Sequence, residues 1–246
     1  MNLLLVNDDG IYSPSLYALA GAFSRNHAVT VVAPDGNRSA IGHGITLQAP
    51  LFVHPADYPK GVGAWSISGT PADCVRLGLL NLAPGSVDLV ISGPNRGENT
   101  ASDLLYSGTV AAALEAAMMG VKSIALSAPA GADEQRLVEN FICLFGLLDL
   151  EKDFDQVLNI NIPDLPLTEI KGLRWAALGD SRWQGPYEQR EKVNGQPVYY
   201  PPSRPPMHTP GGADDWNSLK DGYITLTPLG YHLEQPIEGR RALPWQ

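Results

Sequence analysis

Two cysteines in 246 residues are too few for a disulfide framework or a cysteine-built zinc site. Both Cys74 and Cys143 lie in apolar segments, PADCVRL and FICLFGLL, and read as buried thiols of a chain kept in a reducing compartment. Histidine is nearly as scarce, and His27, His43, His54, His208 and His232 show none of the paired spacing that zinc ligands adopt. Positive charge is in deficit: 17 Lys and Arg against 26 Asp and Glu give a formal net charge of -9. No basic stripe is present to displace counterions from a duplex, which excludes a nucleic-acid polymer as the main partner. Long apolar runs are missing too. The first stops at Asn7, far short of a signal peptide or a spanning helix, so the expectation is a cytoplasmic protein with no membrane partner.

What is present suffices for a large core, since 44% of the residues are hydrophobic. Leu3 to Val6 is a short apolar run suited to a strand covered on both faces. Ser13-Pro14 then reads as an N-cap followed by proline at the first helical position. Leu16, Leu19, Ala20 and Phe23 recur at the spacing of one helical face. AVTVVA, residues 28 to 33, is a second buried strand, which makes a βαβ unit with parallel strands. The pattern repeats through a helix from Pro71, the strand VDLVIS, the alanine-rich helix TVAAALEAAMMG, and the strands VKSIALSA and VLNINIP. The fold class is therefore α/β, an open and mostly parallel Rossmann-like sheet with helices on both faces.

Beyond about residue 170 the texture changes to RWQGPYEQR, QPVYYPPSRPP and HTPGGADDW, which read as loops and hairpins with one clear strand in GYITLTPL. The chain thus divides into a Rossmann-like catalytic domain, residues 1–170, and a β-rich C-terminal extension, residues 171–246. Such an extension packs back on the sheet or reaches across to a second subunit as an exchanged arm. Trp183, Tyr187, Tyr199 and Tyr200 there suit either base stacking or interface packing, and Arg240 and Arg241 read as solvated.

Ligands of open α/β sheets bind where the strands end at their carboxyl side. Those ends carry Asn7, Asp8, Asp9 and Gly10; Asp35, Asn37, Arg38 and Ser39; and Ser92, Gly93, Asn95 and Asn99. Two carboxylates, a hydroxyl and an amide carbonyl form an all-oxygen set suited to Mg2+ or Mn2+. A surface turn would also explain DDG, but without a cation Asp8 and Asp9 would repel each other at close range. Ser107, Gly108 and Thr109 open a helix, where free amides and the dipole suit a phosphate; plain capping by Ser107 or Thr109 is the alternative. Thr70 reads as the cap of the helix from Pro71, with Asp73 in its first turn, and His43 as a proton donor to a leaving group or a structural residue. Metal beside anion cradle suggests metal-assisted phosphoryl transfer to water.

Seven blocks in order, NDDGI, APDGNRSAIGHGITL, GTPADCV, SGPNRGEN, YSGTVAAALEA, LNINIPD and GYITLTPL, make the chain resemble the stationary-phase survival protein SurE family of metal-dependent 5'-nucleotidases. The resemblance implies one divalent ion per subunit held by Asp8, Asp9, Ser39 and Asn95, with Asp8, Asp9 and Asn95 as catalytic residues. It places Asn99 and Ser107, Gly108 and Thr109 at the substrate phosphate. It further implies hydrolysis of nucleoside 5'-monophosphates, in some members also 3'-nucleotides and short polyphosphate, by a homodimer or homotetramer with an exchanged C-terminal arm. The chain departs from the family pattern at Ala40, Gly44 and Ala101-Ser102, around the nucleoside pocket. Two rivals stand beside this reading: a metal-dependent deacetylase, which also sets adjacent aspartates after a first strand, and a nucleotide-binding protein without turnover.

Overall fold

The computed structural model describes residues 1–182, 185–202 and 207–232. Trp183, Arg240 and Arg241 lie outside the described residues. The strands β1 (Asn2–Val6), β2 (Ala28–Pro34), β3 (Val53–Pro55), β4 (Gly63–Ile67), β5 (Leu89–Arg96), β6 (Ser123–Ala128), β7 (Val157–Asn161), β8 (Leu173–Trp175) and β13 (Ile224–Leu229) form one sheet. Its order is β3-β4-β2-β1-β5-β6-β7-β13-β8. All neighbours are parallel except β3 on β4 and β13 on β7. A two-stranded hairpin, β10 (Glu188–Val193) with β11 (Gln196–Tyr200), and a short pair, β9 (Ser181–Arg182) with β12 (Met207–His208), lie outside it.

The helices are α1 (Pro14–Phe23), α2 (Pro71–Leu77), α3 (Gly108–Met118), α4 (Glu134–Phe145) and α5 (Asp215–Lys220). Alternate residues of the central strands feed two cores. Leu3, Leu5, Val29, Val31, Ile91 and Ile124 pack with Leu16, Leu19 and Phe23 of α1 and Phe141 of α4. On the other face Leu4, Val6, Val32 and Val90 meet Cys74 and Val75 of α2 and Ala112 and Ala116 of α3. This alternation is why the strands read as unbroken apolar runs: both faces are covered. Small alanines let α3 lie close to the sheet.

Several expectations change. Cys143 is exposed, not buried, because its position on α4 faces away from Phe141 and Leu144; only Cys74 is a buried thiol. The helix from Pro71 tightens its pattern only to Leu77, and Gly78–Leu82 continues as a π turn. Ser13 stands at the N-cap of α1, but its hydroxyl pairs with Ser15 rather than with a backbone amide. Part of the C-terminal segment, by contrast, takes the first of its two expected arrangements and packs back on the main sheet: β13 adds to β7, and β8 to β13.

The chain leaves β1, runs outward through β2 to β4, and returns to β5 on the other side of β1. The crevice between the carboxyl ends of β1 and β5 is thus the topological switch point, where open α/β sheets bind ligands. In β1 and β5 Val6 faces Ser92, the last paired position, beyond which Asp8 and Asp9 follow β1 and Asn95 follows on β5.

A long loop between β2 and β3 lies over this end of the sheet and is tied down by buried polar groups. Asp73 accepts the backbone N–H and the hydroxyl of Thr46, at 3.1 and 2.6 Å, and the N–H of Thr70 at 3.0 Å, while the Thr70 hydroxyl donates to the Gly44 carbonyl. Thr70 and Asp73 also form a capping box on α2. Burial pushes the Asp73 carboxyl up, but the bonds from Thr46 and Thr70 outweigh it and hold it below 3.8. A depressed carboxyl stabilises the fold above its ordinary titration range and loses that contribution as pH falls below it. Asp73→Ala is therefore expected to cost about 2–3 kcal/mol in urea unfolding at pH 7. The deficit against the parent protein should shrink in titrations taken below about pH 4.

Candidate active site

Asn7 closes the turn that presents the acidic pair. Its side-chain amide donates to the Gly10 carbonyl and its carbonyl accepts the Gly10 N–H, both at 3.1 Å. Between these bonds Asp8 and Asp9 project from the end of β1 in a fixed order. Asp8 is only 3% exposed, and its Oδ1 accepts the Thr109 hydroxyl at 2.6 Å. Thr109 sits in the first turn of α3, so this bond joins the acidic pair to a helix N-terminus. The approach is close enough that a Cβ on Gly108 would lie 2.9 Å from the Asp8 Cβ and 3.2 Å from the Pro71 ring, which leaves glycine the only residue that fits.

Ser107 is the cap of α3: its Oγ accepts the Val110 N–H at 3.1 Å. That answers the capping question and separates the roles, since Thr109 is engaged with Asp8. The amides of Gly108 and Thr109 remain at the positive end of the helix, without a partner from its preceding turn.

The loop after β2 lies against the same carboxylates. The Arg38 N–H donates to the Asp8 carbonyl at 2.7 Å, Asn37 Nδ2 donates to Asp9 Oδ1 at 3.4 Å, and the Ser39 N–H donates to Asn37 Oδ1 at 2.9 Å. Ser39 itself is exposed at the rim. From β5, Asn95 donates its Nδ2 to the Gly97 carbonyl at 2.8 Å, which leaves the amide oxygen as its available end. Arg96 shares with Asp9, Asp35 and Asn37 a cavity of about 310 Å3 and is ion-paired with Glu134 of α4. Asp8 thus meets the start of α3 through Thr109, Asp9 meets Asn37 next to Ser39, and Asn95 lines an adjacent cavity that shares Arg96 with that of Asp9. Asn99 is engaged elsewhere: it is buried one strand over, donating Nδ2 to Ser127 Oγ at 2.8 Å, with its backbone clasped by Asn159 and Asn161.

The electrostatics are unfavourable without a counter-ion. Burial pushes the Asp8 carboxyl up to about 6, with the Asp9 charge adding to it and the Thr109 bond opposing it. Burial raises Asp9 as well, against the pull of Arg96. Asp9 Oδ2 is buried with no hydrogen-bond partner among the described residues. An unpartnered carboxylate oxygen beside a second buried carboxylate is a donor set in want of a cation, and oxygen ligands of this kind fit a hard divalent ion.

Other polar groups complete the frame. Glu115, with a side chain 4% exposed, accepts Arg76 Nη1 at 2.6 Å and lies 2.9 Å from His43 Nε2, so His43 ties the loop carrying Ser39 to α2 and α3. Sequence reasoning left out Arg96, Arg76, Glu115 and Asn37 as site residues. Asn37 and Arg96 had a signal, their places at strand ends; Arg76 and Glu115 meet across a chain separation that spacing does not reveal.

A family model described as survival protein SurE matches residues 3–185. The chain belongs to the survival protein SurE family. Among its relatives, the 5'-nucleotidase SurE of Desulfatibacillum aliphaticivorans is 40% identical over 234 residues, covering 93% of this chain and 92% of that protein. The 5'-nucleotidase SurE of Clostridium botulinum (strain Langeland) is 40% identical over 238 residues, covering 95% and 94%. The crystal structure of the SurE protein from Aquifex aeolicus superposes with a TM-score of 0.79 at 33% identity, covering 95% of each chain. The α/β architecture of this SurE family member is that of the solved relative.

The raised Asp8 carboxyl has a measurable sign. A carboxyl whose folded value lies above 3.8 makes the folded state less stable as pH rises from about 4 to about 6, with the full cost present above that window. In protein stripped with a chelator, stability should therefore fall across this interval by up to about 3 kcal/mol. Asp8→Asn should flatten the profile and leave the stripped protein more stable than its parent at pH 7.5, as read by urea midpoints.

Proposed function

We propose that the chain is a divalent-metal-dependent 5'-nucleotidase, a phosphatase converting nucleoside 5'-monophosphates to nucleoside and phosphate. Membership of the SurE family and relatives bearing the 5'-nucleotidase name support the activity. The observation that carries the metal dependence is the buried, unpartnered Asp9 Oδ2 beside a second buried carboxylate. Asp8, Asp9, the Ser39 hydroxyl and the Asn95 amide oxygen would hold one Mg2+ or Mn2+ ion. When bound, such an ion polarises the phosphoryl group and offsets the charge that develops on it. Among the described residues no three His, Cys, Asp or Glu side chains converge as a metal cluster, so the donor set proposed has two carboxylates completed by neutral oxygens.

The chain's own groups supply the rest. The amides at the start of α3, aimed from the positive end of the helix, receive the phosphate oxygens. Thr109 holds Asp8 in place through its hydroxyl, so the ion ligand and the cradle keep a fixed spacing. Asn99 joins the substrate side of the site through the loop between β5 and α3 rather than through the acidic pair. Ile41, Leu105 and Tyr106 are exposed beside the cradle, where the Gly42 N–H donates to the Tyr106 carbonyl, and this apolar fringe suits the nucleoside moiety. 3'-Nucleotides and short polyphosphate share the phosphate chemistry and remain within the proposal.

Residues 1–170 supply these groups, and the protein acts in the cytoplasm. Among the described residues no helix is long and apolar enough to cross a membrane. The hairpin of β10 and β11, exposed along β10, suits an exchanged arm in a homodimer or homotetramer.

Phosphate release from AMP, GMP and CMP, with and without Mn2+, tests the reading. Chelation should abolish turnover and Mn2+ or Mg2+ restore it, while Asp8→Asn and Asp9→Asn should each lower kcat/KM by more than about 100-fold, roughly 3 kcal/mol of transition-state stabilisation. Equal release by Asp8→Asn and the parent enzyme would overturn the proposal, and nucleotide binding without release would mark a binding protein instead.

A further inference from the structure

The segment 97–106 bridges the two halves of the candidate site, with Asn95 at the end of β5 before it and Ser107 at the head of α3 after it. Its first half is anchored in the sheet, through Asn99 to Ser127, Asn159 and Asn161. At its middle stands Ala101, fully buried at φ +52°, a left-handed conformation that a Cβ makes costly. Such a conformation persists only where its surroundings over-determine it.

Those surroundings come from the C-terminal segment. Asp215, the first residue of α5, is fully buried, and its Oδ2 accepts the Ala101 N–H at 2.9 Å. Its Oδ1 accepts the N–H groups of Gly179 and Trp216 at 2.9 and 2.8 Å. The Ser181 hydroxyl donates to Asp103 Oδ1 at 3.1 Å, and Lys220 Nζ lies 3.2 Å from Glu98. Three separate points of the bridging segment, Glu98, Ala101 and Asp103, are therefore held by residues 181–220. The middle point is the strongest, because a buried carboxylate with fixed N–H donors cannot release one without a desolvation cost.

We infer that Asp215 is a positioning residue for the phosphate site: by holding Ala101 it sets where Ser107, Gly108 and Thr109 stand relative to Asn95. The inference rests on the phosphatase reading above. Asp215 touches no reacting atom; it acts through the backbone of 97–106. The C-terminal segment is thereby a working part of the substrate site as well as a candidate arm.

The test uses the full chain with saturating Mn2+, AMP as substrate and inorganic phosphate as competing product. Asp215→Asn keeps the shape but turns an NH2 toward backbone donors. KM for AMP and Ki for phosphate should rise together by about 10-fold, with kcat within about threefold, the pattern of lost binding rather than lost chemistry. Mn2+ affinity measured without nucleotide should stay within about twofold, because the ion ligands are not touched. Adding Ala101→Gly, which removes the Cβ penalty, should bring KM back toward the parent value. Unchanged KM and Ki, or a parallel loss of kcat and Mn2+ affinity without a change in KM, would overturn the inference. If Asp215→Asn does not fold, Ser181→Ala decides: a joint rise of KM and Ki by about twofold supports the clamp, and none overturns it. A parent enzyme that binds Mn2+ but releases no phosphate from AMP would instead sink the nucleotidase reading.

Discussion

Two neighbouring carboxyl groups, one buried and one half-buried, stand where the central strand ends, and their repulsion and desolvation are the constraint to which the surrounding structure answers. Asn7 locks the turn that carries them, Thr109 donates a hydroxyl to one, and Asn37 reaches the other. These bonds ease the arrangement without neutralising it, since both carboxyls remain raised and one oxygen stays unpartnered. A site that is costly when empty of positive charge is one that binds a cation with the energy it has stored.

The irregular segments around this pair are held by buried polar side chains rather than by apolar packing. Glu115 and Asp73 tie the loop after β2, through His43 and Thr46, to the helices beneath it. Asp215 and the Asn159–Asn161 pair do the same for the segment before α3. Directional bonds suit such work better than hydrophobic contacts, because they specify where a backbone stands as well as that it is covered. Glycine at 108 and alanine at 101 show how little tolerance remains: one position has no room for a side chain, and the other carries one at a backbone angle that disfavours it.

The strands β1, β2, β5, β6 and β7 and their parallel class were legible because each is an apolar run covered on both faces, and α1, α2 and α3 because each carries a capping or periodic apolar signal. The places of Asp8, Asp9, Ser39 and Asn95 at or just past strand ends were legible because each follows an apolar run, and the start of α3 because Ser107 precedes an alanine-rich helix. The strand Gly63–Ile67 escaped notice because GAWSI is short and contains glycine, and α4 because its alternation of EQR and EN with apolar residues surrounds a segment that reads as merely apolar near Cys143. Asn99 was legible as a residue just past β5, but not its partners, the amides of β7 that lie about sixty residues away. Asp215 carried no local signal at all. Its partners at 101 and 179 are remote in sequence, and a carboxylate beside another in DDW reads as an ordinary turn or cap.

The return of β13 to the edge of β7 has a consequence for the order in which the molecule can be made. The pairing of Leu226 with Ile160, and the grip of Asp215 on Ala101 across 114 residues, join segments remote in sequence, and such non-local closures come late. Before those closures the strands from β1 to β7 can already stack and grip Asn99 through Ser127, Asn159 and Asn161, but the bond from Ala101 to Asp215 is not yet made. With the clamp inferred above, the start of α3 takes its final place beside Asn95 only after the C-terminal segment has docked.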